Sequence, residues 1–535
     1  MDPEIMGRLE WQLGQASLMN TTHTRPDRVD VSYMPYFVGS TIKEMRTWGI
    51  ELFNGGLLTH DDNWTLPRYA LRTEIRMGDY DEGGGVSYCR DQLARRRNGH
   101  SWERDLRSAL ETSYYDCVED FERRNVHALS RRGSRRKERY TFFSHEQQIM
   151  HQDQETLLDP AQVPVDELET VTEQLHTGKV YSVMLSLQVS QENRYLANTE
   201  GTRAFTSSNV WTLSLLIGMP DDDGFLHTDF VSYHGRNLED VPSPQRLRRD
   251  GLKLIRNLAS LANAPWHVSN AQYALMDHHT TGTLFHEAFM HAVEANRLSE
   301  GAWGEQSNIF FGRMGSRVMP EGISIIDDPT RLDLIGGYTL DEDGVAGKRV
   351  QLVTDGMLTE YLHSRQTANH LRHRTATQGR SNGHARAESS SPPIPRQSNL
   401  RVSASNGLTR QCLLEELLRR VEGDGQDYGL LLENARAGQV DVEEEGLHMV
   451  WPSRAYRIYP DGRKEPVKGA YLAGTPHMTL QSIIAMGHAA KTHGAFCGAE
   501  SGWVPITVSA PAAIAKAEIA RMSTSEFVEL PPPLW

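Results

Sequence analysis

Cysteine is scarce in this chain: Cys89, Cys117, Cys412 and Cys497 are the four in 535 residues. Four thiols are too few to staple a chain of this size, which excludes a disulfide framework and makes a reducing cytoplasm the natural setting. No two are spaced as Cys-x-x-Cys, so a zinc knuckle built from four cysteines is not expected. Long apolar runs are missing as well. No stretch approaches about 18 consecutive apolar residues, so no membrane-spanning helix is expected. The opening residues, Met1-Asp2-Pro3-Glu4-Ile5-Met6, hold neither a basic nor an apolar stretch and do not read as a secretory signal. Positive charge is outnumbered, with 56 Lys and Arg against 70 Asp and Glu and a net charge of −14. That balance argues against a general nucleic-acid surface. The local exception runs from Arg123 to Arg139 and holds Arg123, Arg124, Arg131, Arg132, Arg135, Arg136, Lys137 and Arg139. Acidic residues precede it and no aromatic platform is interleaved, so it reads as the solvated end of a helix rather than an RNA contact.

What is present is a globular balance, 38% hydrophobic and 24% charged, with length enough for two to four domains. Residues 1–88 alternate aromatic segments with turns such as Asn54-Gly55-Gly56 and Gly83-Gly84-Gly85, which suggests antiparallel strands. Leu106, Leu110, Tyr114, Cys117, Val118 and Phe121 then form a helical stripe. Strand patterning returns from Tyr181 to Val189 and from Val210 to Ile217, and residues 243–264 read as one helix. Further strands are expected at 322–328 and 349–356, a short helix from Leu413 to Val421 and hairpins over 430–480. Residues 375–399, with Ser389-Ser390-Ser391-Pro392-Pro393, read by composition as a flexible loop. The expected class is α+β, with antiparallel sheets in both halves and no doubly wound parallel sheet. An N-terminal domain is placed at 1–264, divisible near 160, and a C-terminal domain at 265–535.

The densest chemistry lies at His286-Glu287-Ala288-Phe289-Met290-His291, inside the apolar, helix-like run from Leu284 to Ala295. Neutral imidazoles are the commonest protein ligands for zinc, and a carboxylate beside a metal can take a proton from the water it activates. His-Glu-x-x-x-His therefore reads as a hydrolytic metal site on a helix. The bland alternative is a buried helix with two core or surface histidines. The familiar zinc-peptidase pattern has its histidines at i and i+4. Here the second stands at i+5, which an ideal helix turning about 100° per residue carries roughly 140° away. For both to reach one ion, the helix must widen by a residue, as in a π-bulge, or break near Met290. His278 and His279 just upstream read as incidental, because neighbours on a strand point to opposite faces.

Several segments taken together resemble the TldD/PmbA family of zinc peptidases. His-Glu-x-x-x-His is followed by Glu294, three residues after the second His. Then come Gly322-Ile323-Ser324-Ile325-Ile326-Asp327-Asp328-Pro329, the acidic stretch Asp341-Glu342-Asp343-Gly344, and Asp355-Gly356-Met357-Leu358 leading into Tyr361-Leu362-His363-Ser364-Arg365. Ser381-Asn382-Gly383-His384-Ala385-Arg386, Pro392-Pro393-Ile394-Pro395-Arg396-Gln397-Ser398-Asn399, Phe496-Cys497-Gly498 and Trp503-Val504-Pro505-Ile506 complete the set. Order and approximate spacing match through 281–510; the N-terminal half is similar more loosely, through Asn198-Thr199-Glu200-Gly201-Thr202.

The resemblance implies a zinc-dependent peptidase acting on small or unfolded peptides, with His286, His291 and Cys497 as metal ligands and Glu287 as general base for a metal-activated water. Three protein ligands leave a position open, the arrangement of a catalytic site. Glu294 is expected either to orient His291, or even to ligate the metal itself, or to be a solvated helix carboxylate. His363, Arg365, Arg386 and Arg396 are expected either to contact substrate or to form structural ion pairs. Cys89, Cys117 and Cys412 keep the reading of small buried hydrophobes. The family often has Gly before and after the second His where this chain has Met290 and Ala292, so the pocket is expected to be narrower. The expected partner is a related subunit in a heterodimer, or a second copy. The rival class is a non-catalytic assembly partner of such a complex, and no nucleic acid or membrane partner is expected.

Overall fold

A computed structural model describes residues 2–522, apart from 17–21, 25–29, 81–85, 94–98, 131–142, 156–157, 223, 262, 299–307, 371–378 and 442–446. The Gly83–Gly85 turn and the basic residues from Arg131 onwards lie outside the described residues. Of that basic run, Arg123 and Arg124 both pair with Asp120.

Two sheets organise the chain, each with helices against it, in an α+β architecture. The first has eight strands, with the central order Leu226–Gly235, Arg203–Pro220, Ser182–Asn198, Phe37–Phe53, Arg68–Arg76, Val86–Leu93. These neighbours are all antiparallel. Gly56–Asp62 pairs with the far end of Phe37–Phe53, and Met150–Gln152 with Arg203–Pro220. Strand alternation sorts the residues by face. Ile42, Ile50 and Leu52 point with Val183, Leu185, Leu187, Leu213 and Leu215 to one face, where they meet apolar residues of the helices Pro3–Ala16, Gly99–Ser130, Val165–Leu175 and Pro244–Leu261. Thr41, Lys43, Arg72 and Arg194 point to the other. They are polar yet buried, because this face lies against the second half of the chain.

The second sheet has eleven strands. Five of them, Asn270–Met276, Gly429–Asp441, Leu447–Ile458, Ala470–Gly474 and Gly502–Arg521, pair in a closed ring, since the first also pairs with the last. Asn399–Ala404, Ile323–Asp327, Val350–Thr354 and Met357–Leu358 extend it from Gly502–Arg521, and Ile483–Ala499 folds back on Gly502–Arg521 as a long hairpin. A helix buried on almost every side, His278–Phe285 continuing to Val293, packs against Gly429–Asp441, Leu447–Ile458 and Gly502–Arg521. An apolar surface all round such as Leu284, Phe285, Ala288, Phe289 and Met290 is what a fully enclosed helix requires.

The flexible loop expected at 375–399 is corrected over its described part. Residues 381–387 and 395–399 are buried, and Ala385–Arg386 pairs with Ile394–Pro395. Composition misleads here because the polar side chains are satisfied internally. Ser398 donates to Asp327, Asn382 to the Tyr361 carbonyl and Asn399 to the Asp328 carbonyl.

Candidate metal centre

The site helix begins with a built cap. Asp277 accepts from the Thr280 N–H at 2.9 Å through Oδ1, and its Oδ2 accepts from the Asn434 N–H at 3.1 Å. From His286 to Met290 the helix widens into a single π turn before His291–Val293 resumes α geometry. The inserted residue removes the angular mismatch that i+5 spacing would otherwise impose. The two imidazole rings lie with centroids 4.7 Å apart.

Cys497 joins them from the hairpin strand Ile483–Ala499, placed by its partner Val504. One potential donor atom from each of His286, His291 and Cys497 lies within 4.8 Å of the others, and all three residues are buried. The Cys497 thiol is 3.5 Å from His291 Nε2. The outward nitrogens are held from behind. His286 Nδ1 lies 2.7 Å from Gln397 Oε1 and His291 Nδ1 lies 3.0 Å from Glu294 Oε2. Both acceptors draw the ring proton to Nδ1 and leave Nε2 as the free donor atom. Glu294 is fully buried, which removes the solvated alternative, and Arg396 and Arg297 stand 3.6 Å from its carboxylate. Glu287 reaches into the same space, its oxygens 4.0 Å from His286 Nε2 and 3.9 Å from His291 Nε2.

Burial opposes charge on Cys497, but the His286 and His291 imidazoles and the Arg396 guanidinium outweigh it and hold the thiol well below its ordinary value. Burial pushes the Glu287 carboxyl up while the same imidazoles pull it down, and burial prevails. At Glu294 burial is overcome by His291, Arg396 and Arg297, and the carboxyl falls to about 2. A depressed thiol, two imidazoles backed at Nδ1 and a set of nitrogen and sulfur donors fit a zinc-type ion.

These side chains border a cavity of about 470 Å³, with Phe230, Trp451, Phe496 and Trp503 among its walls. The expectation of substrate contact is not met there by His363, Arg365, Arg386 or Arg396, none of which lines it. His363 is fully buried beside Glu360. Arg365 forks onto Glu200 with both contacts at 2.7 Å and stacks on Phe143. Arg396 donates to the Cys497 carbonyl at 2.7 Å and to Ser501, tying down the loop beyond the thiol. Arg386 donates to the Gln397 and Pro505 carbonyls and borders a separate cavity of about 520 Å³ between the two halves. Each is thus committed to protein partners, the structural alternative.

His279 is also corrected. It lies in the first turn of the site helix rather than on a strand, lines the cavity and packs at 4.1 Å from His493. Sequence reasoning also passed over Gln397, Arg297, Arg436 and His493. Only His493 carries a local signal, because it lies four positions before Cys497 on the same strand and therefore on the same face.

Residues 270–518 match the family described as PmbA/TldA metallopeptidase C-terminal domain. Over 359 residues the chain is 28% identical to a metalloprotease of Methanothermobacter thermautotrophicus, covering 66% of this chain and 73% of that protein. A metalloprotease TldD homologue of Haemophilus influenzae is 29% identical over 235 residues, 43% of this chain, and the match spans only 44% of that protein. Among solved structures, TldE from Thermococcus kodakarensis shares the fold with a TM-score of 0.62 at 13% identity, covering 91% of this chain and 97% of that one. Fold and site define an α+β chain in which three buried metal-type donors converge beside a carboxylate. Over residues 270–518 the chain matches the PmbA/TldA metallopeptidase family, and it is similar to proteins named as TldD and PmbA metalloproteases. The relatives' names imply a metal. No described helix is long and apolar enough to cross a membrane.

Proposed function

We propose that the chain is a zinc-dependent peptidase that hydrolyses small or unfolded peptides, with His286, His291 and Cys497 holding the ion and Glu287 as general base. The observation that carries this reading is the convergence of Glu287 with the three donors on one cavity. A structural metal site has no use for a free carboxylate beside its ligands, which disfavours the reading as a non-catalytic assembly partner. When bound, the ion would acidify a water and polarise a peptide carbonyl. Glu287 takes the proton of the attacking water on a carboxylate oxygen and passes it to the departing amine. Gln397 and Glu294 fix the two imidazoles so that only Nε2 faces the cavity, and Arg396 holds the Cys497 backbone in place. A cavity of about 470 Å³ has room for a short peptide segment and none for a folded domain, consistent with small or unfolded peptides as substrates.

A reducing cytoplasm suits a site that needs Cys497 as a thiolate. A related subunit or a second copy is the expected partner, and sedimentation of the purified chain alone and mixed with a metal-free relative distinguishes the two. The test of mechanism is Glu287→Gln. It keeps the metal, because no ligand is lost, and lowers kcat by about 10² to 10⁴. Unchanged turnover in that variant removes Glu287 from the chemistry.

A further inference from the structure

The strand Gly429–Asp441 approaches the site helix more closely than a strand with side chains could. A Cβ placed on Gly438 would lie 2.5 Å from Glu287 Oε1, 2.7 Å from Glu287 Cγ and 2.7 Å from Thr283 Cγ2. The first two contacts are with the side chain read as the general base, and the third is with the residue one helical turn before it. The approach is prepared upstream in the same strand. Its register with Leu447–Ile458 shifts between Ala435 and Ala437, a bulge that bends the strand and re-aims the residues beyond it. Asn434, in the left-handed region at φ 59°, is pinned there, its Nδ2 donating to Asp229 and to the Phe230 carbonyl and its N–H to Asp277. Asp277 is the same residue that caps the site helix, so the strand and the helix are registered to each other by one carboxylate. A glycine inside a strand marks such a close approach.

From this geometry we infer that Gly438 is a positioning residue, the missing side chain that leaves the Glu287 carboxylate its place beside the metal ligands. The inference rests on the reading of Glu287 as general base. The strand acts through Glu287 and contributes no group to the reaction. Gly438→Ala puts a methyl 2.5 Å from a carboxylate oxygen, too close for both to stay, and Glu287 must move, while His286, His291 and Cys497 keep their own supports.

The experiment uses the full-length, metal-loaded chain as wild type, Gly438→Ala, Glu287→Ala and the double variant. Metal per chain, kcat and KM on a cleaved peptide, and the urea midpoint are measured for each. Gly438→Ala is expected to keep its metal and lose about 10²-fold in kcat, the cost of a displacement of about 1 Å at a reacting group, with KM little changed. In the Glu287→Ala background the two contacts with Glu287 are gone and Thr283 Cγ2 at 2.7 Å remains, so Gly438→Ala is expected to destabilise the wild type clearly more than the variant. Wild-type kcat in Gly438→Ala overturns the inference, and so does an equal loss of stability in both backgrounds. Should Gly438→Ala fail to fold, recovery of a folded double variant supports the inference and failure to recover it overturns it. A wild type that holds metal and cleaves no peptide counts against the peptidase reading, and the stability cycle then decides the contact between 438 and 287 by itself.

Discussion

Gln397 is the residue whose part was least visible beforehand. It accepts from His286 Nδ1 across 111 positions of sequence. No spacing rule links a residue at that distance to a helix, and a glutamine carries no signature of its own. Glu294 performs the equivalent service for His291 from three residues away, and that neighbourhood was legible from helical spacing. Supports of this kind commonly set metal affinity, so Gln397→Leu is expected to weaken zinc binding by about 10- to 100-fold while the chain stays folded. Competition with a metal chelator of known affinity measures it, and affinity equal to wild type would show that Gln397 does not orient the ring. His286, Glu287 and His291 announce themselves because they are close in sequence on an apolar helix. Cys497 does not; its place in the cluster follows from the pairing of Ile483–Ala499 with Gly502–Arg521, which one cysteine in a glycine-flanked stretch cannot foretell. The four candidate substrate residues lie away from the cavity beside the metal-type donors for the opposite reason. Arginine and histidine are read from sequence as reactive, yet Arg365 and Arg396 spend their donors on Glu200, Ser144, Ser501 and the Cys497 carbonyl.

Among the elements, the long regular ones followed directly from pattern. The helices Pro244–Leu261 and Arg410–Gly423 lie where helical periodicity placed them, and the strands Ser182–Asn198 and Arg203–Pro220 contain the expected 181–189 and 210–217 almost entirely but run well beyond them. The π turn is one of the two forms, with a break near Met290, that the i+5 spacing left open for a shared ion, since an unbroken α-helix points the two histidines apart. The helix start at His278 was missed, although Asp277 three residues before Thr280 is an ordinary capping signal, because the adjacent strand Asn270–Met276 reads straight into it. Asp277 both caps this helix and holds the Asn434 N–H. Asp277→Ala is therefore expected to cost roughly 1–3 kcal/mol of stability, the sum of a lost cap and a lost strand anchor. Urea unfolding of the metal-free chain measures it; a change below about 0.5 kcal/mol, the range of an ordinary surface substitution, would contradict the double role.

Across the whole molecule, the two halves meet through buried charge beside a small apolar cluster of Leu196, Ala204 and Leu340. Glu342, from the second half, receives Lys43 at 2.7 Å, Arg194 at 3.0 Å and Arg72 at 3.1 Å, all from the inner face of the first sheet and all buried. The acidic stretch 341–344 was legible as a family feature, but its partners were not, because they lie more than a hundred residues away on three strands. Removing this carboxylate takes away the partner that three buried cations share, although Lys43 keeps Glu192 at 3.3 Å, so Glu342→Gln is expected to destabilise the chain by about 3–5 kcal/mol. Burial opposes ionisation of Glu342, but the three cations hold its carboxyl well below the ordinary value of 4.5. A carboxyl depressed on folding contributes stability that is fully present above that ordinary value and lost as pH falls below it. The difference in urea midpoint between wild type and Glu342→Gln should thus be constant near neutrality and shrink below pH 4.5; a difference that grew on acidification would contradict the assignment. Whether the cluster that this framework encloses is a zinc peptidase centre is tested most directly by zinc content per chain in the wild type and in Cys497→Ser, alongside hydrolysis of a mixed short-peptide library. Near-stoichiometric zinc and peptide cleavage are expected in the wild type, both lost in the variant. A wild-type chain that takes up no zinc even on reconstitution would contradict the peptidase reading.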